Sequence, residues 1–216
     1  MGLPDNLPSS TNSIKVNHAT GRPPNPPVIR VKKIKAGHSD VGPAEFPLWL
    51  SVKSGMMKEY GALEFDMIKF DGGTQAVQAL ISGDVVVAEV AGAAVANAVA
   101  AGAKIKFLAG NANTLPFQIF VSNKVKTPQD LKGKKIAISK KGSSSDFAVR
   151  FAVQKFGLDP DKDVVIVQLG NESQRVAALI NGSVDAAPIE PPNTVTLRKA
   201  GFTTIANLAD LGLEYQ

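Results

Sequence analysis

Three consecutive hydroxyls follow a glycine at Gly142-Ser143-Ser144-Ser145. One serine is enough to cap a helix, with Asp146 in its first turn. The extra hydroxyls could donate to an oxyanion without adding formal charge. Ligand contact and simple capping are therefore both open readings. Glu190 stands at the end of an apolar run, just before two prolines. It is either a solvated loop charge or an acceptor for an amine or ring N–H. A carboxylate there would disfavour a bare anion and favour a zwitterion or heterocycle. Ser39 and Asp40 follow a predicted strand, where loops carry binding groups. Neighbouring His38 reads as structural or solvated. Glu89 is offset by two from the repeat equivalent of Glu190 and is open to a salt bridge. Phe46 could line a cleft or join a core, whereas Trp49 reads as core.

Several chemistries are excluded. The 216 residues contain no cysteine and two histidines, His18 and His38. That removes disulfides, thiolate metal sites, iron–sulfur clusters, cysteine nucleophiles and multi-histidine metal sites. Gly142-Ser143-Ser144 is not a Gly-x-Ser-x-Gly elbow, and no phosphate-binding P-loop occurs. No cofactor is called for. The net charge of +5 resides in residues 1–35, where Lys15, Arg22, Arg30, Lys32, Lys33 and Lys35 face Asp5 alone. The neutral remainder offers no basic face, so no nucleic-acid partner is expected. No secretory signal is visible in this chain. The weakly polar stretch Val85–Ala103 holds Glu89 and Asn97 and is mostly Ala and Gly. It reads as a strand and a helix rather than a membrane span.

Strands and helices must position these groups. Residues 1–29, rich in proline, read as a disordered leader. The pattern predicts strands at 29–36, 63–67, 85–90, 105–109, 117–121, 135–139, 164–169 and 184–189. Helices are predicted at 44–60, 74–82 (capped by Thr74), 92–101, 143–156, 173–181 and 191–200, with a short one opened by Thr127-Pro128. This alternation means α/β with mainly parallel sheets.

The chain also repeats itself. Gln75, Val77, Ala79, Leu80, Ile81, Gly83, Val85 and Ala88 each meet an identical residue 99 positions on, from Gln174 to Ala187. A repeat of that length is a domain-sized βαβ unit. Two lobes follow, 30–112 and 113–205, with 206–216 as the start of a further segment. Their strands' carboxyl ends would face each other at Ala88–Gly92 and Ala187–Pro191. Helix N-termini at Thr74, Ser143–Ser145 and Asn171–Ser173 would offer unpaired N–H groups to an anion.

Several segments resemble the type II periplasmic substrate-binding proteins of ABC importers, in the nitrate/sulfonate/taurine/thiamine-precursor group. They are Pro47-Leu48-Trp49-Leu50 with Lys53-Ser54-Gly55-Met56, Gln78 to Val85, Thr127 to Lys135, Gly142 to Ser145, Gly157-Leu158-Asp159-Pro160, and Ala178 to Ala186. The resemblance spans residues 30–216. It implies a non-enzymatic, extracytoplasmic protein that closes two lobes over a small anionic or zwitterionic solute and delivers it to a membrane permease. It implies ligand contacts from Ser39, Asp40, Phe46, Thr74, Gly92, Gln118, Ser143, Ser144, Ser145 and Glu190. The alternative is a cytoplasmic enzyme of the same fold acting on a small carboxylate or heterocycle. Family members run on for roughly a further third and finish the sheet of lobe one. The expectation here is a fragment or completion by a partner chain, hence self-association or marginal stability.

Overall fold

The computed structural model describes residues 31–39, 46–59, 62–110 and 115–212. The expected leader, Asp40 and residues 213–216 lie outside them. The chain order is β1 (Val31–His38), α1 (Phe46–Lys53), α2 (Met56–Glu59), β2 (Ala62–Lys69), α3 (Gly73–Ser82), β3 (Val87–Glu89) and α4 (Gly92–Ala100). There follow β4 (Gln118–Val121), β5 (Lys135–Ile138), α5 (Ser144–Lys155), β6 (Val165–Gln168), α6 (Glu172–Ile180), β7 (Ala186–Ile189), α7 (Asn193–Lys199) and β8 (Thr203–Asn207).

Two sheets result. The first is parallel, in the order β2-β1-β3. The second has the order β6-β5-β7-β4-β8, with β5, β6 and β7 parallel and β4 antiparallel to both β7 and β8. This is the α/β, parallel-rich architecture that the alternation of elements predicts. The internal repeat is visible in space. Moved 99 residues along, α3 falls on α6, β3 on β7 and α4 on α7, and β1 and β5 hold the same central place.

Local chemistry explains the boundaries. Gly83 leaves α3 in the left-handed region (φ 84°), where its N–H bonds the Leu80 carbonyl. Asn171 caps α6 in a reciprocal box with Gln174, and Thr127 does the same with Asp130 ahead of a single 3₁₀ turn. Three expectations need correction. The single helix 44–60 is two, because Ser54-Gly55 turns the chain and Gly55 adopts φ 80°. The cap of α3 is Gly72, and Thr74 lies inside the first turn. The strand expected at 105–109 is irregular chain, with Phe107 and Leu108 exposed. In the repeat this segment matches β8, which exists by pairing with β4; among the described residues the first sheet has no counterpart of β4. A strand without a ladder leaves its N–H and C=O groups to water.

Packing is unequal. The second sheet is covered on both faces, by one cluster around Leu115, Ile119, Leu131, Ile136 and Val149 and another around Phe120, Leu179, Ile189 and Leu197. Each such side chain contributes about 1.5–3 kcal/mol of burial. Around the first sheet, no buried apolar residue among the described ones is larger than valine: Ala36, Ala76, Val77, Ala79, Val85, Ala94 and Val95. Helix α1 is apolar but buries none of its residues, and Phe46, Leu50 and Trp49 are exposed. The expectation that Trp49 is core is therefore corrected. It stacks instead on Phe46, ring centroids 6.3 Å apart, with the Lys53 ammonium 5.8 Å from its ring.

Candidate functional site

The two sheets meet at the carboxyl ends of their parallel strands. Asn171 Nδ2 donates to Asp71 Oδ1 (3.2 Å), Asn97 Nδ2 to the Gly142 carbonyl (3.0 Å) and Thr74 Oγ1 to the Lys141 carbonyl (3.5 Å). Gly72 lies so close to Ser139 that an added Cβ would stand 3.1 Å from its Cβ and Oγ. The helix-start loops of the two repeats thus touch directly. Each is held the same way: Asp71 N–H donates to Gln75 Oε1 and Asn171 N–H to Gln174 Oε1, both at 2.9 Å.

The serine cluster sits at this junction. Ser143 caps α5, and Ser143 and Ser145 are almost wholly buried. Their hydroxyls form a triangle with Ser139, with edges of 2.8, 2.9 and 2.9 Å. The Ser139 N–H also donates to Ser145 Oγ at 2.8 Å. The three hydroxyls therefore do not all face outward. Two build the loop, and Ser144, half-buried, is placed differently at the first position of α5. Capping and ligand contact are divided between the serines rather than exclusive. Asp146 fixes the same turn, accepting from Gly142 N–H (2.8 Å) and from Arg150 Nε (2.9 Å). Asp161, together with Asp146, raises the Arg150 guanidinium further above its usual value. Lys140 and Lys141 immediately precede this turn, so positive charge accompanies the helix N-terminus.

Gln118 and Glu190 lie at the same end of the second sheet. Gln118 pairs with Ile189 and Asn207, and its Oε1 accepts from Arg198 at 2.7 Å. The partly buried Glu190 donates its N–H to the Glu172 carboxylate (3.2 Å). Ser39 follows β1 and is half-buried, and Gly92 is the first residue of α4. Phe46 begins α1 and stacks on Trp49. His38 is buried in β1. The structure thus gathers Thr74, Ser143–Ser145, Gln118 and Glu190 around the carboxyl ends of the strands. Surface depressions of about 410 and 290 Å³ flank α6 instead: Val167, Leu169 and Ala177 line the first, Ser122, Ile180 and Phe202 the second.

Sequence reasoning missed Asn97, Lys140, Lys141, Glu172 and Arg175. A signal for the last two existed: 172, 175, 176 and 179 follow helical spacing, which places a carboxylate and a guanidinium on the stripe of Val176 and Leu179. Among the described residues, no group of three His, Asp or Glu is placed to hold a metal ion.

A family model described as NMT1/THI5 like matches residues 50–216. The chain belongs to the NMT1/THI5-like family. No curated protein matches it. Among solved structures, a protein from Bordetella bronchiseptica RB50 is similar to this NMT1/THI5-like chain at 27% identity and a TM-score of 0.73. The match covers 82% of this chain and 57% of that one. The alkanesulfonate-binding protein SsuA from Xanthomonas axonopodis pv. citri, bound to MOPS, matches at 26% identity and a TM-score of 0.71, covering 85% and 63%. The periplasmic aliphatic sulphonate binding protein SsuA of Escherichia coli matches at 25% and 0.65, covering 84% and 62%. The chain therefore spans about three-fifths of the length of these relatives. At 16% identity, the periplasmic nitrate-binding protein NrtA of Synechocystis PCC 6803 shares the fold.

Proposed function

We propose that this NMT1/THI5-like chain is the solute-binding component of an ABC importer. Its ligand is a small anionic or zwitterionic solute of sulfonate, nitrate-like or thiamine-precursor type, held between the two sheets. One observation carries the reading: Thr74 of α3 and Asn97 of α4, in the first unit, bond to the loop that opens α5, which carries Lys140 and Lys141. Unpaired helix N–H groups and a local excess of positive charge suit an oxyanion. The likeness to alkanesulfonate-binding structures supports the same class.

In this proposal Ser144 donates to the anion, while Ser143 and Ser145 hold the loop behind it. Ser39, Phe46, Thr74, Gly92 and Gln118 contribute further contacts, together with Asp40, which lies outside the described residues. Glu190 receives a cationic or N–H group of the solute. Closure is driven by contacts that the ligand makes only in the closed state. The protein acts without chemical conversion of the solute, works outside the cytoplasm and hands the solute to a membrane permease. No helix among the described residues is long and apolar enough to cross a membrane. Self-association through exposed apolar residues of the first unit, such as Phe46, Leu50, Phe107 and Leu108, accompanies this reading.

A thermal-shift panel of ethanesulfonate, taurine, nitrate and amino-pyrimidines tests it. A ligand at 100 times its dissociation constant stabilises by about 2.7 kcal/mol. A saturable rise with one class of solute is expected. A flat response to the whole panel contradicts the proposal.

A further inference from the structure

Beneath the junction lies a buried ion pair. Glu172 and Arg175 are 5% and 4% exposed, with the guanidinium Nη2 at 3.5 Å from Glu172 Oε2. Arg175 also donates to the carbonyls of Gly170 (3.1 Å) and Pro188 (3.4 Å). Glu172 accepts from the Asn193 amide (2.7 Å) and the Glu190 N–H (3.2 Å). Four pieces are thereby tied together: the loop before α6, the first turn of α6, the end of β7 and the start of α7. That loop carries Asn171, which bonds across to Asp71.

The internal repeat supplies a control. In α3, the counterpart of α6, the positions of Glu172 and Arg175 are held by Gly73 and Ala76. The βαβ unit therefore forms without such a pair. Burying two charges is costly, and well-packed apolar groups often serve stability as well. An arrangement that the architecture does not require, sited under the only-second-unit residues Asn171 and Glu190, is explained by positioning.

We propose that the Glu172–Arg175 pair is a positioning device: it fixes Glu190 and the Asn171 loop relative to each other, and so sets ligand affinity and the approach of the two units. The affinity part rests on the solute-binding reading; the rigidity part does not.

The test compares the full chain with Glu172→Gln/Arg175→Met, which removes both charges together. Arg175→Lys serves as the conservative variant. Amide hydrogen exchange is followed at 170–172 and at Glu190, Asn193 and Thr194, and ethanesulfonate and taurine are titrated as probes. The double variant is expected to stay folded, to exchange faster at both segments and to bind the probe roughly 2- to 30-fold more weakly. The lysine variant is expected to lie between. Unchanged exchange overturns the proposal whatever the probes do. Faster exchange with unchanged affinity overturns it as well, because rigidity would then not reach the ligand. If the unaltered chain binds neither probe, the sulfonate form of the solute-binding reading fails, and the rigidity claim is decided by exchange alone.

Discussion

Gly72 is a tightly constrained position at the junction. Its φ of 118° and ψ of 161° belong to a region that side-chain-bearing residues almost never adopt. Gly72→Ala therefore meets two costs. Backbone strain is about 1–3 kcal/mol. The new methyl group also stands 3.1 Å from Ser139 Cβ and Oγ. Ser139 cannot swing aside without leaving its bonds to Ser143 and Ser145. Overpacking of this kind costs about 1–3 kcal/mol. Gly83 is the matched control: its φ is 84°, and an added Cβ meets nothing within 4 Å. Gly83→Ala should cost only the strain, about 1–2 kcal/mol. For a chain of this length each kcal/mol lowers Tm by about 2–4 °C. Urea melts of both variants should place Gly72→Ala clearly below Gly83→Ala. Equal losses would refute the close packing of Gly72 on Ser139 across the junction.

Other outcomes follow from the same geometry. Phe120 is fully buried beneath the Arg198 guanidinium, and Phe120→Ala should cost about 3–5 kcal/mol in a denaturant melt. Ser145→Ala removes one corner of the hydroxyl triangle and the acceptor of the Ser139 N–H, with an expected loss of about 1–3 kcal/mol in the same assay. Asp130, Asp159 and Asp163 are held below the usual carboxylate value of 3.8, chiefly by backbone N–H donors at Lys126, Asp161 and Asp159 respectively. Unfolding returns each to its ordinary value, so the unfolded chain binds more protons in this range. Their contribution is present above pH 3.8 and is lost as pH falls through the depressed folded values. Urea midpoints should drop over that interval, and a flat profile there would contradict the assignment.

Elements whose order depends on local signals were legible in the sequence. Gly83 ends α3, Thr127-Pro128 opens its short turn and Ser143 caps α5, because each acts within one helical turn. The repeat foretold two like βαβ units; the strand orders they share, β2-β1-β3 and β6-β5-β7, came from the structure. What was not legible depends on partners distant in sequence. Residues 105–109 have the pattern of a strand, yet they lack a ladder. β8, with a weaker pattern, has one through β4. Trp49 has a core residue's chemistry, but α1 buries none of its residues. At the site, glycine and serine spacing pointed to the α5 turn. It could not show that Ser139, just past β5, would draw two of the three hydroxyls inward. Nor did it show Glu172 and Arg175, whose charges masked their place on a buried stripe.

The central claim, in its sulfonate form, is that a small sulfonate binds at the α5 turn without being changed. Calorimetric titration of ethanesulfonate into the unaltered chain and into Ser144→Ala, with the solute recovered and checked by NMR, tests it most directly. The account predicts saturable one-to-one binding, a loss of about 1.5–3 kcal/mol with Ser144→Ala for a charge-assisted hydrogen bond, and solute recovered intact. Absence of saturable heat, equal affinity for both proteins, or a converted solute would contradict it.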